Sequence, residues 1–293
     1  MILVAGSANI DFVTRVRHIP APGETVLGGS YSVSGGGKGA NQAVACARAG
    51  GKVAFLGALG HDPFADTLRQ SLRQSGVQDL SVQLELPTGA AFISVSEAGE
   101  NAITVASGAN AGLLPEMLPE LTGFTHLVMQ LEIPLSTVFA YARAARAVGV
   151  RVILNAAPAA DLPPELLNSV DLLVINEGEL ESLVGPGEVH EQLRRAARFG
   201  PQQVIVTLGP EGSLALDADG FITVPALSVA VLDTTGAGDT YVGALVTALS
   251  EKAALPDAMC FAGTAAALAC TRPGAQPSMP SRAEIEAALL TPG

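Results

Sequence analysis

The chain has 293 residues, 48% of them hydrophobic, with 16 Lys plus Arg against 28 Asp plus Glu and a net charge of −12. That length can bury one large α/β core or two small ones. An acidic balance with only three lysines, Lys38, Lys52 and Lys252, excludes the basic surface that nucleic acid or an anionic membrane requires. No run reaches the ~20 apolar residues of a membrane span, and the start lacks a basic leader region, so the expected location is the cytoplasm.

Taken in order, the pattern opens with an apolar run at 2–5, a buried first strand, and then a β-rich stretch at 11–33 with no helix in it. A glycine block at 34–39 precedes a helical pattern at 41–49, a strand at 53–56, a helix at 63–75 and a second β-rich stretch at 82–105. Strand-like runs follow at 126–129, 152–154, 172–175 and 204–207, with helical patterns at 135–148 and 188–199. Runs at 214–216 and 221–224 flank Asp217-Ala218-Asp219-Gly220, a hairpin signal, and three helices are expected near 239–250, 257–270 and 281–290. This alternation predicts an α/β fold with a mostly parallel central sheet, one domain over 1–293, and a small β lid built from 11–33 and 82–105. Cys46, Cys260 and Cys270 sit in Ala-rich helical patterns and read as buried apolar residues, and four isolated histidines offer no zinc site.

Ligands of open α/β sheets bind beyond the carboxyl ends of the strands, and polar residues fall there in this chain. Asn9 and Asp11 follow the first run, Gln130 and Glu132 the 126–129 run, Asn155 the next, Asn176 and Glu179 the 172–175 run, and Thr207 and Gly209 the 204–207 run. The block Gly35-Gly36-Gly37-Lys38-Gly39-Ala40-Asn41-Gln42 is no Walker A loop, because Ser32 and Gly39 stand where Gly and Ser or Thr are needed. Bare backbone at a helix start, with Asn41 beside it and acceptors at Asn9, Asp11 and Glu132, suits a ligand rich in hydroxyl groups. In the run Asp233-Thr234-Thr235-Gly236-Ala237-Gly238-Asp239-Thr240, a carboxylate follows small residues at a helix start. Backbone N–H groups of Gly236, Ala237 and Gly238 are expected to hold an anion while Asp239 deprotonates a hydroxyl.

The chain resembles the ribokinase family of carbohydrate kinases, the phosphofructokinase-B class, nearly end to end. The resemblance is carried by Gly6-Ser7-Ala8-Asn9-Ile10-Asp11, Gly36-Gly37-Lys38-Gly39-Ala40-Asn41-Gln42-Ala43, Gly108-Ala109-Asn110, Met129-Gln130-Leu131-Glu132, Asn176-Glu177-Gly178-Glu179, the 233–239 run and Gly274-Ala275-Gln276-Pro277-Ser278. It implies transfer of the γ-phosphoryl group of ATP to the primary hydroxyl of a pentose, D-ribose first, with Asp239 as base and Gly236, Ala237 and Gly238 as anion hole. It implies sugar contacts at Asn9, Asp11, Gly37, Lys38, Gly39, Ala40, Asn41 and Glu132. Nucleotide contacts are implied at Thr207, Leu208, Gly209, Pro210, Glu211, Gly212, Gly238 and Gly263, with Asn176 and Glu179 meeting the phosphates and Mg2+ through water. A monovalent cation, K+, is implied at Asp233, Thr235, Ala269, Arg272, Gly274 and Ser278. Gly263 stands where the family often has a larger polar residue, which leaves the base preference open. Deoxyribose, fructose or a nucleoside as acceptor, or a sensor without catalysis, remain alternatives, and exposed lid edges imply a homodimer.

Overall fold

The computed structural model describes residues 1–290; the last three residues of the expected 1–293 domain lie outside it. In chain order the strands and helices begin with β1 Ile2–Ala5, β2 Asn9–Val16, β3 Tyr31–Gly36, α1 Lys38–Arg48, β4 Val53–Leu56, β5 Ala58–Leu59, α2 Pro63–Gln74, β6 Gln78–Asp79, β7 Val82–Gln83, β8 Gly89–Ser96 and β9 Asn101–Ala106. They continue with β10 His126–Met129, α3 Leu135–Ala147, β11 Arg151–Asn155, α4 Pro164–Leu167, β12 Leu172–Asn176, α5 Glu177–Val184, α6 Val189–Ala197, β13 Gln203–Thr207, β14 Ser213–Asp217, β15 Gly220–Val224, α7 Ala237–Ser250, α8 Leu255–Ala269 and α9 Arg282–Leu289.

Nine strands form the main sheet in the order β15-β14-β13-β12-β11-β10-β1-β4-β6. The run from β13 to β6 is parallel, and the predicted hairpin β14–β15 adds antiparallel strands at one edge. Successive side chains alternate between faces. Ile2 and Val4 therefore join Phe55, Val128 and Ile153 under α1, α2, α7 and α8. Leu3 and Ala5 join Leu127, Met129 and Leu154 on the opposite face, with Val138 and Tyr141 of α3 and Leu193 of α6. Both faces are covered, which is why the central strands read as unbroken apolar runs rather than alternating ones.

The second sheet has the order β3-β2-β8-β9 and unites the two β-rich segments, with β2 and β8 parallel. Its boundaries differ from those expected. Residues 17–30 form no strand, and Val82–Gln83 leaves the segment to pair with Ala58–Leu59, so the second segment begins at Gly89. Register places Phe12, Val33 and Phe92 on one face and Asp11, Ala91 and Val105 on the other. Phe12 stacks on Phe92 and meets the edge of Phe64. Tyr31 at 68% and Ile103 at 55% exposure show that apolar side chains on both faces of this sheet remain open to solvent.

Three further features depart from the pattern reading. Helices α4 and α5 are not among the expected ones. Cys46 is buried, but Cys260 is exposed and Cys270 only partly covered; all three are free thiols. The expected three terminal helices are present with starts two residues early for α7 and α8 and one late for α9.

Close approach of α1 to α7 sets the geometry of everything near residue 239. A Cβ at Gly243 would lie 2.5 Å from Ala45 Cβ and 2.8 Å from both the Gln42 carbonyl oxygen and the Cys46 nitrogen. Gly243→Ala gains up to ~1 kcal/mol of helix propensity, but two of these three atoms are backbone and cannot swing away. The substitution is expected to lower stability by about 1–3 kcal/mol, read as a lower urea midpoint with unchanged slope.

Candidate active site

Gly236 adopts a left-handed backbone, φ +74°, and caps α7, with Asp239 in the first turn. A Cβ at Gly236 would meet Ala275 at 3.0 Å, so the turn is pressed against the 272–278 loop. The N–H groups of Gly236 and Gly238 find no acceptor among the described residues, whereas that of Ala237 donates to the Thr234 carbonyl at 3.1 Å. Of the three donors expected at 236–238, those of Gly236 and Gly238 are therefore free among the described residues, at the positive end of the helix.

Asp239 is only 9% exposed. Its Oδ2 accepts from Asn41 Nδ2 at 2.9 Å and its Oδ1 from Gln42 Nε2 at 3.0 Å. The other hydrogen of Gln42 Nε2 goes to Asn155 Oδ1 at 3.0 Å, and Gln42 Oε1 accepts from Gln130 Nε2 at 2.5 Å. Burial pushes the Asp239 carboxyl above the ordinary carboxylate range, and Lys38 together with the two amides pulls partly back. The result is a carboxylate of raised basicity, held in orientation on both oxygens.

Asp11 and Glu132 stand close enough to repel each other and Asp239: burial first, then these two charges, raises Asp11 to about 7. Glu132 Oε2 accepts from Ser7 Oγ at 2.5 Å and from the Lys38 N–H at 3.1 Å. Asn9 Oδ1 accepts from Asn110 Nδ2 at 2.8 Å. A cavity of about 380 Å3 opens here, lined by Asn9, Ser107, Asn110, Glu132, Pro134 and Pro158. Gly37 caps α1 with φ +87°, and a Cβ there would strike Asn9 N at 2.7 Å. The N–H groups of Gly39 and Ala40 donate to Ser7, at 3.4 Å to Oγ and 2.8 Å to the carbonyl, and so tie α1 to the end of β1.

On the other side of Asp239 a cavity of about 150 Å3 is lined by Lys38, Asn155, Asn176, Glu179, Thr207, Gly236 and Gly238. Asn176 and Glu179 cap α5 reciprocally: Asn176 Oδ1 accepts from the Glu179 N–H at 2.8 Å and Glu179 Oε2 from the Asn176 N–H at 3.0 Å. Burial raises Glu179 despite these bonds and Lys38, so its carboxylate gains from any cation brought to it. Beyond Thr207, Leu208 donates to the Gly212 carbonyl at 2.8 Å across a short turn, Gly209–Glu211, that leaves Gly209, Pro210 and Glu211 exposed. Gly263 lies on α8 outside this cavity, with open space where a side chain would project.

The expected cation residues come from two loops that meet. Asp233 Oδ1 accepts from Thr235 N–H at 2.9 Å and Oγ1 at 2.6 Å, and its Oδ2 from the Gly274 N–H at 2.8 Å. Desolvation lifts this carboxyl, but the bonds from Thr235 and Gly274 outweigh it and hold Asp233 below its ordinary range. The Ala269 carbonyl accepts from the Arg272 N–H at 3.1 Å, and Ser278 Oγ donates to the Ala275 carbonyl at 2.7 Å. One carboxylate, one hydroxyl and backbone carbonyls are an oxygen-only set, which suits a hard cation. Among the described residues no three His, Cys, Asp or Glu side chains gather as a metal cluster.

The geometry adds residues that the sequence pattern assigned no role: Ser7 on Glu132, Asn110 on Asn9, Gln42 on Asp239 and Gln276 on Asn41. The available signal was a Gln within an Ala-rich helix, which is otherwise costly to bury.

The model of the pfkB family carbohydrate kinases matches residues 1–282. The chain belongs to the pfkB family of carbohydrate kinases. This carbohydrate kinase is 40% identical to the ribokinase of Haemophilus influenzae over 97% of the chain and 96% of the relative. It superimposes on the crystal structure of ribokinase from Thermotoga maritima with a TM-score of 0.92 at 36% identity, and on Arabidopsis thaliana ribokinase complexed with ribose and ATP with 0.91 at 32%, covering 99% of both chains in each case. The ribokinase-like fold of the kinase, a large mostly parallel sheet with a small separate sheet, is thereby established. No helix among its described residues is long and apolar enough to cross a membrane.

A folded-state value near 7 against an ordinary 3.8 makes Asp11 a source of instability in the empty kinase. The folded state keeps the proton longer than the unfolded chain, so stability falls as pH rises from about 4 to about 7 and stays reduced above that. Asp11→Asn is therefore expected to melt higher than the wild type at pH 8, with the gap closing toward pH 4, while raising the sugar KM. Thermal melts at several pH values with parallel KM measurements check both parts.

Proposed function

We propose that the chain is an ATP-dependent ribokinase that phosphorylates the 5-hydroxyl of D-ribose. The observation that carries this is Asp239, a buried carboxylate at a helix N-terminus, between the hydroxyl-accepting group Asn9, Asp11 and Glu132 and a cavity edged by Gly236, Gly238 and Lys38. Ribose hydroxyls donate to Asp11 and Glu132, and the second hydrogen of Asn41 Nδ2 donates to the sugar. The 5-hydroxyl then faces Asp239, which takes its proton as the oxygen attacks the γ-phosphorus and ADP departs. The N–H groups of Gly236 and Gly238, the positive end of α7 and the Lys38 ammonium stabilise charge on the transferring phosphoryl oxygens. Such positioning and electrostatics suffice for phosphoryl transfer.

Asn176 and Glu179 would hold Mg2+, which when bound would neutralise charge on the nucleotide phosphates. Thr207, Leu208, Gly209, Pro210, Glu211, Gly212 and Gly263 seat the nucleotide. Asp233, Thr235, Ala269, Arg272, Gly274 and Ser278 would hold K+, and with a cation there these two loops would order the turn that leads into α7. The small sheet closes over the sugar as a lid and excludes water. Its apolar residues Tyr31 and Phe92, on the face away from Asp11, are covered by a second copy of the chain, giving a homodimer.

ADP release with Mg-ATP and K+ is the direct test, with D-ribose, 2-deoxyribose, fructose and adenosine as acceptors. The highest kcat/KM is expected on ribose; a higher value on another acceptor reassigns the substrate, and no turnover on any with ATP bound points to a sensor. Asp239→Asn is expected to lower kcat roughly 10²–10⁴-fold while ribose still binds, and an unchanged kcat removes Asp239 as the base.

A further inference from the structure

The 272–278 loop reaches the reacting centre through a side chain as well as through its backbone. Gln276 is 5% exposed, and its Nε2 donates to Asn41 Oδ1 at 3.1 Å. Asn41 Nδ2 in turn donates to Asp239 Oδ2 at 2.9 Å. The acceptor-only Asp239 carboxylate turns Asn41 Nδ2 toward itself, so Asn41 Oδ1 faces Gln276 and makes its amide the donor, which leaves Gln276 Oε1 to accept from Ser71 Oγ of α2 at 2.6 Å. The sequence of donors runs one way: Ser71 hydroxyl to Gln276, Gln276 amide to Asn41, Asn41 amide to the carboxylate. Each bond polarises the next in the same direction, so the chain strengthens the last donor.

The same loop is clamped from outside. Arg48 Nη1 donates to the carbonyls of Gln276 at 2.7 Å and Met279 at 2.8 Å. Gly274 N–H binds Asp233 and Ala275 abuts Gly236, so the loop also touches the turn that opens α7. A shift of the loop therefore changes two things together: the position of the anion-holding turn and the orientation of the base.

We propose that Gln276 is a positioning residue of the phosphoryl transfer, coupling the 272–278 loop to Asp239 through Asn41. The proposal rests on Asp239 being the base. It has a consequence at the sugar: with one Nδ2 hydrogen given to Asp239 and one lone pair of Oδ1 taken by Gln276, Asn41 keeps a single N–H to donate to the ligand.

Gln276→Met keeps the length of the side chain and removes both hydrogen bonds. It is expected to lower kcat about tenfold with the KM for ATP little changed, and to move the ascending limb of the kcat–pH profile to higher pH, because the ionised base loses a supporting donor. A purely structural role would reduce the folded fraction and leave that limb in place. Ser71→Ala removes the first donor without touching the loop and is expected to shift the limb in the same direction by less, which keeps the test open if Gln276→Met does not fold. A folded Gln276→Met with wild-type kcat and pH limb overturns the proposal, as does an unmoved limb in Ser71→Ala if Gln276→Met fails to fold. Asp239→Asn, assayed alongside, separates the causes: inactive Asp239→Asn with normal Gln276→Met sinks the coupling alone, whereas active Asp239→Asn sinks the base assignment.

Discussion

A carboxylate has to be buried where α1 crosses α7, and the rest of the site follows from that constraint. Burying Asp239 removes water that would stabilise its charge, and the lost hydration is replaced by two amide donors from adjacent residues of one helix, Asn41 and Gln42. Those amides reach it only because Gly243 lets α7 lie against the backbone of α1. Gln42 in turn must itself be satisfied, and it is, by Gln130 and Asn155 at the ends of β10 and β11. Gln130 Oε1, packed where a side chain at Gly6 would lie, is left without a partner among the described residues. The buried amides around Asp239 thus form one network radiating from its charge.

Function grows from the asymmetry of the space around that charge. Toward the small sheet lie other carboxylates, Asp11 and Glu132, whose mutual repulsion favours a ligand that brings hydrogen-bond donors. Toward β12 and β13 lie Lys38 and bare N–H groups, which favour a ligand that brings negative charge. On the function proposed above, a hydroxyl donor on one side and a phosphate on the other would meet at Asp239. Lys38 belongs to both sides, since its backbone N–H binds Glu132 while its ammonium acts on Glu179 and Asp239.

Much of this was legible in the residues themselves. Strands buried on both faces advertise themselves as apolar runs, so β1, β4, β10, β12 and β13 were readable, and Asp217 to Gly220 named its own hairpin. Short elements were not: β5 and β7 have two residues each and pair across a gap that no local pattern encodes. The polar strand ends and the two glycine blocks pointed to residues that the fold brings around Asp239, but whether an N–H is free depends on tertiary partners. Ala237 donates to Thr234, and Gly39 and Ala40 donate to Ser7, facts that spacing does not carry. The roles of Gln42 and Gln276 depend on the same tertiary contacts: an Ala-rich helix marks Gln42 as costly to bury, but only the fold shows that it touches Asp239 and that Gln276 touches Asn41.

The central claim is that Asp239 is a desolvated carboxylate kept available as a base. Carbon-13 NMR of the kinase labelled at aspartate carboxyls, with Asp239→Asn to assign the signal, reads its titration directly in the absence of substrates. The account predicts a midpoint above the ordinary aspartate value of about 3.9, because burial outweighs Asn41, Gln42 and Lys38. A midpoint at or below that value would contradict it, since Asp239 would then be a solvated or over-stabilised anion with little affinity for a proton.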